Sequence, residues 1–246
     1  MDKFNVKCND GLYLLNNIPF EIDPDKAADK LKIMKKSEDY AALKEMLSQA
    51  VKAGSPKAIH RVSYPDQRTE ESVVVEGIAL KSRVLSVNLE NVHRIFPYVV
   101  TCGKELDAWS KTYTDPLLAY FADYIKVAAL GEAMKFFSDY IKETYRLSRI
   151  SRMAPGSLKD WPIEQQKPLF EIMGDVKGTA GVILTDSFLM QPSKSVSGIL
   201  FPTETSFESC MLCPREKCIG RRAPYNSKLY EEKYKVPRNN NPCNVI

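Results

Sequence analysis

One stretch, from Asp115 to about Arg146, constrains this chain more than any other. Asp115 suits a helix N-cap and Pro116 the first helical position, where a missing N–H loses no bond. The helix so predicted is about 45 Å long at ~1.5 Å per residue. Leu118, Phe121, Ile125, Ala128, Glu132, Phe136 and Tyr140 recur along it at steps of three and four. That spacing predicts a single face that must be buried against another layer. Glu132 is the anomaly in the stripe. Either it marks the edge of the face and reaches water, or it is a partly buried acid opposing a cationic ligand group. An unpaired buried carboxylate would be too costly to keep.

Shorter elements surround this helix. Pro24-Asp25 opens one through Lys35, and Ser37-Glu38-Asp39-Tyr40 caps another that carries Leu43, Met46, Leu47 and Val51 before Gly54-Ser55-Pro56 stops it. Residues 1–55 carry no chemical motif and are read as a helical appendage. Ala58–Val62 and Ser72–Val75 read as strands, Ile78–Val87 as a helix, and Val92–Thr101 as a buried strand. His60 and His93 have no partners at metal-ligand spacing and take structural roles. Pro162–Met173 reads as a short helix ending at Gly174. Gly181–Met190 and Val196–Pro202 read as strands joined by the turn Gln191-Pro192-Ser193-Lys194.

The balance of 35 basic and 31 acidic residues gives a net charge of +4, with no basic, aromatic-interleaved run. Nucleic acid is therefore not an expected partner. No apolar run approaches the ~18–20 residues of a membrane span, and Met1-Asp2-Lys3-Phe4 does not open like a signal peptide. The expected location is the cytoplasm.

Two blocks between Arg149 and Phe207 carry the chemistry. The first holds Arg152-Met153-Ala154-Pro155-Gly156-Ser157, then Trp161-Pro162-Ile163. The second holds Leu184-Thr185-Asp186-Ser187, Met190-Gln191-Pro192 and Ser195-Val196-Ser197-Gly198. Arg-x-Ala-Pro-Gly sets a guanidinium beside a bend with one small side chain and one absent one. A ligand can lie against such a backbone while the arginine forks a carboxylate or phosphate.

In order and spacing these blocks resemble the activation (reactivation) domain of cobalamin-dependent methionine synthase, which binds S-adenosylmethionine. The close resemblance covers about a quarter of the chain, and a weaker one reaches back to about residue 70. It implies an α+β fold: a curved, mainly antiparallel sheet packed against a long helix. Around that unit, residues 56–207, lie the N-terminal helical appendage, 1–55, and a cysteine-rich C-terminal tail, 208–246. The resemblance also implies that Arg152, Ala154 and Gly156 contact the donor, with Glu132 facing its ammonium or sulfonium charge. The family has an aromatic residue where this chain has Ser157. Phe207, Tyr225 or Trp161 are the candidates to replace that ring.

Downstream, Cys210-x-x-Cys213-Pro214-x-x-x-Cys218 sets three thiols within nine positions. In a cytosolic chain this spacing points to metal rather than disulfides. Cys102 or Cys243 would be the fourth ligand. Neither the spacing of radical S-adenosylmethionine enzymes nor an equivalent loop in the methionine synthase domain matches it. An iron–sulfur cluster is preferred over zinc, because reducing cob(II) to cob(I) needs an electron and zinc has no redox chemistry.

The expected function follows from these parts. It is a stand-alone corrinoid-reactivation protein that binds S-adenosylmethionine and supports reductive methylation of cobalamin presented by a separate corrinoid protein or methyltransferase. A flavodoxin- or ferredoxin-type carrier would supply electrons. The alternatives are a metal-binding interaction module that has lost donor binding, or a distinct S-adenosylmethionine or corrinoid methyltransferase component.

Overall fold

The computed structural model describes residues 6–218 and 220–235. The chain enters as a hairpin, β1 (Val6–Asn9) and β2 (Leu12–Leu15), followed by α1 (Pro24–Leu31) and α2 (Glu38–Ala53). Asp23 Oδ1 caps α1 by accepting from Asp25 N at 2.8 Å, and Ser37 Oγ caps α2 from Tyr40 N at 3.1 Å. Next come β3 (Lys57–Arg61), β4 (Pro65–Arg68), β5 (Ser72–Val75), β6 (Ile78–Lys81), α3 (Arg83–Asn88) and β7 (Phe96–Thr101). After α4 (Lys104–Ser110) runs α5 (Pro116–Tyr145), then β8 (Ile150–Met153), α6 (Gln166–Met173) and α7 (Val176–Ala180). The strands β9 (Ile183–Leu184), β10 (Met190–Gln191) and β11 (Ser195–Pro202) complete the regular elements.

Six strands form one antiparallel sheet in the order β1-β2-β3-β7-β11-β8. Because strand side chains alternate between faces, register assigns each residue to a layer. Ala58, Phe96, Tyr98, Val100 and Leu200 face α5 and pack with Ala133, Phe137 and Ile141. The opposite face carries Ile59 and Val99 against α6 and α7, and Met153, Ile199 and Phe201 against α3, α6 and the small sheet β4-β5-β6. The architecture is thus α+β, a mainly antiparallel sheet with a long helix on one side.

Three sequence expectations change. Residues 6–55 are built into the fold rather than appended to it. Strand β2 pairs with β3, and Leu43, Met46 and Ala50 of α2 share an apolar cluster with Phe121, Ile125 and Ala129 of α5. The stretch 78–87 splits at Ser82, whose Oγ accepts from Leu85 N at 2.9 Å. Its first half is β6, and only its second half is helix. Gly181, at φ +70°, ends α7 instead of starting a strand. The remainder folds as the short β9–β10 hairpin.

Helix α5 begins as predicted, with Asp115 Oδ1 accepting from Leu117 N at 2.9 Å and Leu118 N at 3.0 Å. Its buried line then departs from the predicted stripe. After Ile125 it steps by four, through Ala129, Ala133, Phe137 and Ile141. The predicted three-residue step to Ala128 and on to Glu132 turns away from the sheet by one residue, about 100° of helix rotation. Glu132 is consequently exposed.

Candidate functional site

Strand β8 is the edge of the main sheet beyond β11, and Arg152 sits on it opposite Leu200. By register its side chain belongs to the α5 side, the side of Tyr98 and Gly198. Arg152 is half-buried. Among the described residues no hydrogen bond or ion pair engages its guanidinium. Unpaired cations in such positions are unusual, since partial desolvation calls for a partner.

Two more polar groups converge here. Glu208 lies beside Arg152 as an isolated parallel bridge partner on the other edge of β8. Burial pushes its carboxyl above the ordinary range, and Arg152 pulls the other way. Glu208 Oε2 is buried without a hydrogen bond, although Arg222 Nε approaches to 2.8 Å as an ion pair. The ion-pair distance is short, but its alignment falls outside hydrogen-bond geometry, so the oxygen keeps an unmet acceptor. Tyr98 is 2% exposed, and burial pushes its phenol up to about 12, with Arg152 opposing and Glu208 adding to the rise. Gly198 makes room for this cluster. A Cβ there would lie 2.3 Å from the Met153 carbonyl oxygen and 3.1 Å from Tyr98 Oη.

The bend after β8 is tightly bonded. Gly156 has φ +80°, which only glycine adopts readily, and a Cβ on it would lie 2.8 Å from Ile163 Cδ1. Its N–H donates to the Trp161 carbonyl at 2.7 Å, so that group is taken. Gly156 therefore shapes the turn. Ser157 Oγ donates to the Ala154 carbonyl at 2.6 Å and lies 3.3 Å from Ser209 Oγ. That hydroxyl closes the bend where the family has a ring. Of the three candidate replacement rings, Trp161 is fully buried and Phe207 is 5% exposed, both in the core cluster behind the sheet. Phe207 N donates to Ser151 Oγ at 2.8 Å, and its ring stands edge-on to Tyr234. Tyr225 is exposed.

The cysteines divide between two places. Cys102 is sealed in the cluster shared by α2, α4 and α5, and burial pushes its thiol up to about 12. It is not brought to the tail. Cys210, Cys213 and Cys218 lie on a loop gathered by Arg221, whose guanidinium donates to the carbonyls of Cys210 at 3.2 Å, Cys213 at 3.3 Å and Arg215. Arg222 N donates to Cys210 Sγ at 3.4 Å. Among the described residues no three His, Cys, Asp or Glu side chains converge as a metal site would require. Cys243 lies outside the described residues.

A cavity of about 550 Å³ opens on the other side of β8, lined in part by Asn88, Arg149, Phe201, Thr203 and Phe207. It contains none of Glu132, Arg152, Ala154 or Gly156. The cluster of unmet polar groups at Arg152, rather than the size of this cavity, marks the candidate site. Sequence reading missed Tyr98 and Glu208. The only sequence signal for Tyr98 is Gly198, which lies opposite it in register, and Glu208 has none.

No curated protein matches the chain. Among solved structures, a crystal structure of the MetH reactivation domain bound to AdoHcy superposes with a TM-score of 0.55 at 14% identity, covering 80% of this chain and 81% of that one. At that identity the likeness concerns the fold. The family model described as vitamin B12 dependent methionine synthase, activation domain, matches residues 111–210, from the end of α4 to the first cysteine of the tail loop. Residues 111–210 of this chain thus match the model of the family that the two sequence blocks resemble, and the chain shares the fold of the MetH reactivation domain.

Proposed function

We propose that the chain binds S-adenosylmethionine at the β8 edge and supports reductive methylation of cob(II)alamin carried by a separate corrinoid protein or methyltransferase. The observation that carries this reading is Arg152: a half-buried guanidinium without a partner among the described residues, on the strand that precedes the Ala-Pro-Gly bend. It can fork the donor's α-carboxylate. Ala154 and the Gly156 turn bound the neighbouring surface. Glu132, exposed on α5, can meet a cationic ligand only at the rim. The donor supplies the methyl group, and an external flavodoxin- or ferredoxin-type carrier supplies the electron. The chain's own residues contribute placement and charge rather than an acid, base or nucleophile. A cytoplasmic setting belongs to the same reading.

The cysteine spacing supports a metal on Cys210, Cys213 and Cys218, an iron–sulfur centre in preference to zinc. Their arrangement does not close around an ion, and no electron step is assigned to it. Iron, sulfide and zinc analysis of an anaerobic preparation decides the matter. Iron with sulfide and absorbance near about 400 nm supports the cluster, one zinc supports the alternative, and neither removes the metal.

A second reading, a metal-binding interaction module without donor binding, is favoured by the inward turn of Ser157. Calorimetric titration with S-adenosylmethionine separates the two. The first expects one-to-one binding that Arg152→Ala weakens by about tenfold or more. No binding, or binding that ignores the substitution, leaves the second.

A further inference from the structure

We propose that Glu208 is the carboxylate that receives the α-ammonium of the ligand's amino-acid half, completing with Arg152 a clamp for a zwitterion. This rests on the donor-binding reading and assigns a specificity-determining residue to it. Position comes first. Glu208 and Arg152 are neighbours across the edge of β8, and Tyr98 feels the charge of both. One cation and one anion are therefore presented within the same small area. An α-amino acid offers the complementary pair on adjacent atoms, which an isolated carboxylate or phosphate does not.

Unmet bonding capacity comes second. Among the described residues the Arg152 guanidinium makes no hydrogen bond or ion pair, and Glu208 Oε2 is buried without a hydrogen bond. The two are bridge partners across the edge of β8 but form no ion pair within 4 Å. Arg152 therefore keeps its capacity for a third party, and Glu208, held by Arg222 through Oε2, keeps that of its other carboxylate oxygen. Had they bonded to one another, the clamp would be self-quenched.

The surroundings fix the acid without using it up. Phe207 N, one residue before, is anchored on Ser151 Oγ at 2.8 Å, and Ser209 Oγ, one residue after, lies 3.3 Å from Ser157 Oγ. Arg222 holds Glu208 from the outer side at 2.8 Å. That arginine follows the cysteine loop, and its N–H lies on Cys210 Sγ. The tail thus closes the amino-acid end of the site, while Glu132 on the open flank of α5 does not approach it as a buried acid.

The test compares two ligands that share the adenosine and sulfur and differ in the amino-acid group. These are S-adenosylhomocysteine and 5′-methylthioadenosine, titrated by calorimetry into the full chain and into Glu208→Gln and Glu208→Asp. The wild type is expected to prefer S-adenosylhomocysteine by about tenfold or more. Glu208→Gln, close to isosteric, should narrow that preference severalfold, leaving the part that Arg152 supplies, while still binding 5′-methylthioadenosine as the wild type does, and Glu208→Asp should retain more of it. If Glu208→Gln discriminates as well as the wild type, the assignment of Glu208 is overturned while donor binding stands. If the wild type binds neither ligand, the donor-binding reading itself falls, and this inference with it.

Discussion

His60 shows how burial decides what an ionisable group can do in this molecule. It is enclosed by Tyr13, Phe96, Phe137, Tyr140 and Tyr145, with Nε2 2.9 Å from Tyr145 Oη and Nδ1 unpartnered. Burial lowers its pKa from 6.5 to about 3, so the folded state takes up a proton far less readily than the unfolded chain. The stability this allows is fully present above the unfolded value of about 6.5 and is lost progressively as pH falls from there towards about 3. Going from about pH 7 to about pH 5 should cost about 2 kcal/mol by this group alone. Carboxylates such as Asp107 add to the loss only at lower pH; its burial opposes ionisation, but Lys111 and Lys126 outweigh it and hold it below its ordinary range. Denaturant melts at several pH values check the slope, which should flatten in His60→Phe. The structural role of His60 was legible from its lack of a ligand-spaced partner. Arg152 was legible from its motif, but its unmet bonding and its neighbours Tyr98 and Glu208 were not, because they meet across β7, β11 and the edge of β8.

Among the elements, α5 packs on the sheet that carries the candidate site, and β11 pairs with its edge strand β8. The sequence announced α5 by its Asp-Pro start, and the cap forms. Asp115→Ala should cost about 1 kcal/mol, or about 3 °C of melting temperature, without altering ligand binding. What a stripe of threes and fours does not reveal is which of two adjacent lines the sheet selects. Here packing selects the line through Ala129, buried in the cluster shared with α2, and Ala133, buried against β3 and β7. Glu132 is turned out as a result. Gly198 in β11 carries the opposite lesson, a residue recognisable in the Ser-Val-Ser-Gly block whose reason appears only in register. Gly198→Ala forces the Met153 carbonyl or Tyr98 to move. It should destabilise the chain by about 1–3 kcal/mol and weaken donor binding as well, read by thermal melts and calorimetry. The split at Ser82 and the hairpin in place of a longer strand at 181–190 were missed because short apolar runs look alike whether helix or strand.

For the molecule as a whole, the sheet unites segments that composition alone would separate. The N-terminal hairpin extends the same sheet that ends in β8, and the tail returns to β8 at Phe207 and Glu208. No helix among the described residues is long and apolar enough to cross a membrane. The cysteines report this organisation. Native protein treated with iodoacetamide at about pH 8 should label Cys8, which is exposed, and spare Cys102 until the chain unfolds, because burial keeps its thiol protonated. Peptide mass spectrometry reads the difference.

The proposed ligand position is at Arg152, on the α5 side of the sheet edge. A crystal structure of the chain with S-adenosylhomocysteine tests it most directly. The ligand carboxylate is expected on the Arg152 guanidinium with its adenosine along the Ala154–Gly156 bend. Density instead in the cavity beside Arg149 and Thr203, on the other side of β8, would contradict the account.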